Sequence, residues 1–73
     1  MKMHEVLTRL GFETKNGRDY RNSSKELAVV VLPERLYLYI WESSPFWKHW
    51  SLVETFTGVD ALDGLRTWME LNV

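Results

Sequence analysis

Two stretches of the chain carry unambiguous hydrophobic patterning. Leu36–Trp41 alternates Leu, Tyr, Leu, Tyr, Ile, Trp with a period of two, and Glu26–Leu32 is a short apolar run rich in valine. Pro33-Glu34 separates them, so they read as the two arms of a tight hairpin with Val31 opposite Leu36, Val29 opposite Leu38 and Leu27 opposite Ile40. This register makes one face purely aliphatic. The other face then carries Tyr37, Tyr39 and Trp41 beside the neighbours Val30, Ala28 and Glu26.

Helical spacing appears at both ends of the chain. Met3, Val6, Leu7 and Leu10 fall at i, i+3, i+4 intervals, and Gly11 followed by Phe12 reads as a C′ glycine backed by an apolar residue. Near the C-terminus Asp60 and Asp63 suit a helix start, and Ala61, Leu62, Leu65, Trp68 and Met69 form an apolar stripe. Between these helices Asn16-Gly17 predicts a type I′ turn joining Phe12–Lys15 to Arg18–Arg21. Asn22-Ser23-Ser24 marks a second turn. Glu42–His49 reads as a loop by its Ser-Pro content, and Trp50–Phe56 as a further strand whose register the pattern leaves open.

The expected fold is therefore α+β, a single compact domain over residues 1–73. It has an N-terminal helix, an antiparallel sheet of three main strands plus a short hairpin, and a C-terminal helix. With 73 residues and no cysteine, no disulfide or thiolate metal site is available, and stability must come from dense packing of the large rings. No apolar run approaches the roughly 20 residues of a membrane span. Met1–Glu5 has no apolar segment of signal-peptide type, so a cytoplasmic location is expected.

A formal net charge of -1 argues against a general polyanion binder and against a strongly acidic nucleic-acid mimic. The charge is nevertheless uneven. Positive residues outnumber negative ones over 1–25, and the reverse holds over 26–73. The basic segment Arg18, Arg21 and Lys25, with Lys15 and Tyr20, could contact phosphates, but a solvated edge hairpin is the better reading, because Glu13 and Asp19 dilute its charge. In that hairpin Arg18 and Tyr20 would share one face, and Asp19 and Arg21 the other.

No catalytic set is expected. The chain has two histidines, and neither His4 nor His49 lies within a metal-ligand spacing. Ser43-Ser44 lacks the glycines of a nucleophile elbow, and Glu42 and Glu54 read as solvated strand-end carboxylates rather than an acid/base pair. No cofactor or metal is implied.

The stronger signal is aromatic. Tyr37, Tyr39, Trp41, Phe46, Trp47 and Trp50 fall within a short stretch of chain. Rings so concentrated suit a protein contact surface or a stacking platform for single-stranded bases. One competing arrangement buries them, with the C-terminal helix and Trp68 over the aromatic face and the first helix over the aliphatic one. Phe46 and Trp47, beside Pro45, resist burial in so small a domain and are the preferred anchors with Trp50, rimmed by Lys48 and Arg35.

In element order the chain is similar to the double-stranded RNA-binding domain and to HicA-type mRNA interferases. It departs from both in its residues. The second helix opens with Val59-Asp60-Ala61-Leu62-Asp63 where the RNA-binding domain is lysine-rich. Leu10-Gly11-Phe12 is followed by Gly17-Arg18-Asp19, without the Gly-Ser-His of the interferases, so their RNase activity is not expected. In size and character the chain resembles compact bacteriophage proteins that block host machinery, such as anti-CRISPR proteins and RNA polymerase inhibitors. That resemblance implies a non-enzymatic inhibitor occupying a surface of a host protein or complex. A single-stranded nucleic-acid binder and a homo-oligomer that buries its aromatic face are the alternatives.

Overall fold

The computed structural model describes residues 3–72. Helix α1 (Met3–Arg9) leads into strands β1 (Glu13–Thr14), β2 (Asp19–Asn22), β3 (Leu27–Leu32), β4 (Arg35–Ser43) and β5 (Lys48–Thr57), and helix α2 (Ala61–Asn72) follows. The strands form one antiparallel sheet in the order β1-β2-β3-β4-β5. The α+β reading holds, with the short hairpin joined to the main strands in a single sheet.

Local sequence explains most of the boundaries. Gly11, at φ 96°, ends α1 in a Schellman motif: Phe12 N–H donates to Leu7 O at 2.9 Å and Gly11 N–H to Thr8 O at 3.1 Å. Asp60 begins α2, its carbonyl accepting from Gly64 N–H at 2.9 Å. The β3–β4 register is the one the alternation predicts, with Val31 opposite Leu36, Val29 opposite Leu38 and Leu27 opposite Ile40. Pro33-Glu34 forms the connecting turn, and Glu34 takes a φ of 63° that suits glycine better. Glu34→Gly is accordingly expected to stabilise the domain by about 0.5–1 kcal/mol, read as a raised urea midpoint. An unchanged or lowered midpoint would show that the left-handed backbone costs nothing here.

The first hairpin differs from expectation. Thr14 pairs with Tyr20, which leaves a loop from Lys15 to Arg18 instead of a two-residue type I′ turn. Asn16 acts through its side chain, its Oδ1 accepting from Arg18 and Asp19 N–H at 2.9 and 2.8 Å, while Gly17 alone takes a positive φ, 76°. Arg18 thus precedes the strand. Tyr20 turns into the core and contacts His4 Nδ1 through its hydroxyl at 3.0 Å.

Both helices lie on the aliphatic face. Leu7, Phe12, Tyr20, Leu27, Val29, Leu36, Leu38, Ala61, Leu65 and Met69 form one buried cluster, with Phe56 and Trp68 packed at its margin. This corrects the arrangement in which α2 covers the aromatic face. Gly64 allows the close approach of α2 to β5, since a Cβ there would sit 2.7 Å from Phe56 Cδ1. Asn22 is the one buried polar residue of the described chain. Its Nδ2 donates to Leu10 O at 3.1 Å and its Oδ1 accepts from Ser24 Oγ and Lys25 N–H, fastening the end of α1 to the β2–β3 turn.

Candidate protein-interaction face

The β4–β5 hairpin is longer than the sequence pattern indicates. The segment read as a loop from Glu42 to His49 is strand on both sides, and only Ser44–Trp47 make the turn. Ten residues of strand span about 33 Å, most of the 41 Å long axis of the domain. Burial on the core face fades along β4 from Leu36 and Leu38 to half-buried Ile40 and exposed Glu42. The distal hairpin therefore projects beyond the helix layer.

Its tip is held by one serine. Ser44 N–H donates to Trp47 O at 2.8 Å, and Ser44 Oγ accepts from Phe46 and Trp47 N–H at 3.2 and 3.1 Å. Phe46 is 87% exposed and Trp47 53% exposed on this fixed backbone. Trp47 lies between two rings, its centroid 6.5 Å from that of Phe46 and 6.2 Å from that of His49. His49 Nε2 stands 3.5 Å from Glu42 Oε2 across the hairpin.

Tyr37, Tyr39 and Trp41 are half-buried on the face without helices. Pairing places Trp50 opposite Trp41, Leu52 opposite Tyr39 and Thr55 opposite Tyr37, and extends the same face through Val30 and Ala28 to Asp19 and Arg21. Trp41 and Trp50 meet edge-on at 5.2 Å, and the Arg21 guanidinium lies over the Trp50 ring at 5.8 Å. Ala28, the smallest side chain on the face, floors a shallow depression framed by Arg21, Tyr39 and Trp50. Arg35 reaches Tyr37 Oη at 3.4 Å.

The structure thus places the expected contact residues in two adjoining groups. Phe46, Trp47 and Lys48 are at the tip; Trp50, Trp41, Tyr39, Tyr37 and Arg35 run along the open face. The candidate phosphate contacts are dispersed. Arg18 precedes β2 and pairs with Asp19 at 3.7 Å, Arg21 stacks in mid-face, and Lys25 is exposed in the turn beyond the other end of β2. Glu13 pairs with Arg21 in the ladder, and Glu26 borders the hollow beside Trp41 and Trp50.

Leu52, 53% exposed on this face, is a contact candidate the sequence pattern did not single out. Its signal depended on a register that includes an irregularity between Leu38 and Tyr39, where Val53 is the extra residue on β5. Among the described residues no group of three or more His, Cys, Asp or Glu is placed to hold a metal ion, and no helix is long and apolar enough to cross a membrane. No family model matches the chain, and the comparisons with the curated proteins and with the solved structures found no match either.

Proposed function

We propose that this domain is a non-enzymatic protein-binding module, acting in the cytoplasm, that occupies a surface of a partner protein with its β4–β5 tip and open sheet face. The observation that carries this reading is the exposure of Phe46 and Trp47 on a turn already ordered by Ser44. Rigid aromatic anchors lose little conformational freedom on docking, and burying them in a partner pocket is a strong source of binding energy. This mode of action suits a compact phage-type inhibitor of a host macromolecular machine, of the kind the chain resembles in size and character.

Charge supports a protein over a nucleic acid. Arg21, Arg35 and Lys48 on the open face are interleaved with Glu13, Asp19 and Glu26, and a backbone of phosphates would meet both signs. A mixed rim around aromatic anchors is the anatomy of a protein interface.

Trp47→Ala tests the reading. The variant should keep the thermal midpoint of the wild type and weaken partner binding by about 2 kcal/mol, roughly 30-fold, because the ring contributes to no core contact. The partner is first captured from bacterial lysate with and without nuclease, and affinity is then measured by calorimetry. A variant that unfolds, or that binds as tightly as the wild type, overturns the anchor role. Capture of nucleic acid alone, lost with nuclease, would favour base stacking on Tyr37, Tyr39 and Trp41.

A further inference from the structure

The two edges of the sheet are very unequal. β1 has 2 residues and β5 has 10, and β5 pairs only with β4. Short edges offer little to an incoming strand, whereas a long one presents unpaired backbone groups. The hydrogen bonds at both ends of the hairpin, Ser44 N–H to Trp47 O and Gly58 N–H to Glu34 O, set which amides of β5 face outward. By the alternation of an antiparallel ladder these are Lys48, Trp50 and Leu52, which stand opposite Ser43, Trp41 and Tyr39 in pairs that exchange no backbone bonds.

At the bulge the edge is interrupted. The amide of Thr55, which also faces outward, donates to the carboxylate of its neighbour Glu54 at 3.2 Å, and the extra residue Val53 bends the strand. The segment free to pair is therefore Lys48–Leu52. It is flanked by the exposed apolar side chains of Leu52 and Val53, 53% and 45% accessible.

We propose that β5 pairs antiparallel with β5 of a second copy of this chain over Lys48–Leu52, about a two-fold axis at Trp50, joining the two sheets into one. The pairing uses the backbone edge of β5 and leaves Phe46 and Trp47 outside the paired segment, and the proposal stands without the partner-binding reading. Two features select a second copy. The segment is self-complementary in backbone terms, since Trp50 would pair with Trp50 of the second copy and Lys48 with its Leu52. The symmetry also closes: the free segment of each copy is used once, which gives a dimer instead of a filament. All helices would lie on one side of the joined sheet, and the aromatic rows would merge on the other.

Sedimentation of the full chain from about 10 µM to about 1 mM should show a monomer–dimer equilibrium. Leu52→Pro should remain monomeric across that range with an unchanged far-ultraviolet spectrum, because the lost amide makes no bond to β4. A wild type that stays monomeric throughout, or a dimer that persists in a folded Leu52→Pro variant, overturns the proposal. Should the proline variant fail to fold, amide exchange of the wild type decides. Exchange at Trp50 and Leu52 should slow by about threefold to tenfold from the lowest to the highest concentration, with Thr57 unchanged as the internal control. Equal rates at both concentrations overturn the proposal and leave the edge to an extended strand from another protein.

Discussion

Leu38→Ala is expected to destabilise the domain by about 3 kcal/mol, the usual cost of a large-to-small change at a fully buried position. Leu38 sits on β4 with 0% exposure, in the cluster that joins the sheet to Leu7 of α1 and to Leu65 and Met69 of α2. Removing its side chain opens a cavity under both helices, which the sheet cannot close without breaking the pairing on either side of β4. A domain of this size has a total stability of roughly 5 kcal/mol, so the variant should unfold well below the wild-type temperature. Leu52→Ala supplies the contrast. Leu52 lies on the opposite face and is about half exposed, so its loss should cost less than about 1 kcal/mol. Urea denaturation of both variants measures which face holds the core. Equal losses would contradict a sheet covered on one side only.

Asn22→Ala should cost about 2–3 kcal/mol, a large effect for a polar residue. The side chain is 1% exposed and serves three partners, Leu10 O, Ser24 Oγ and Lys25 N–H. Alanine leaves the Leu10 carbonyl and the Lys25 amide facing a space from which water is largely excluded, and unsatisfied buried groups keep their full desolvation cost. Asn22→Asp should not restore stability. It keeps the acceptor for Lys25 but sets a carboxylate against the Leu10 carbonyl oxygen, where the amide now donates. Thermal unfolding of the pair reads the outcome directly: a loss under about 1 kcal/mol in Asn22→Ala, or a fully stable Asn22→Asp, would mean that the bridge between α1 and the β2–β3 turn is dispensable.

The parts of the fold that were legible are those whose signal is local. Alternation through Leu36–Trp41 and the short Pro33-Glu34 turn permit a single register with Glu26–Leu32, because a slip of one residue would expose the aliphatic row to water. Gly11 and Phe12 announce the end of α1, since the left-handed backbone and the apolar contact behind it belong to one capping motif. The concentration of rings between Tyr37 and Trp50 likewise marks the face and tip as candidate contacts from the sequence alone. Two local signals are true to their place but not to their extent. Asn16-Gly17 does lie in a hairpin loop, but the asparagine organises it through side-chain hydrogen bonds that bind a wider loop. Ser44-Pro45 does mark a turn, but the strands on either side run almost up to it.

The sequence by itself determined the α+β order, the central hairpin and its two chemically different faces, because each depends on periodicity and on turn residues acting over a few positions. Only the tertiary structure decided which face the helices cover. Both stripes are apolar enough to dock on either side of a sheet, and the choice of the aliphatic side follows from packing the helices together around Leu7, Leu38 and Leu65. The course of β5 was also a tertiary decision, because an edge strand with one covered side and a bulge at Val53 has no regular alternation to read. The role of Asn22 was hidden for the same reason: its partners are a carbonyl 12 residues away and a turn that becomes buried only when α1 folds back on the sheet.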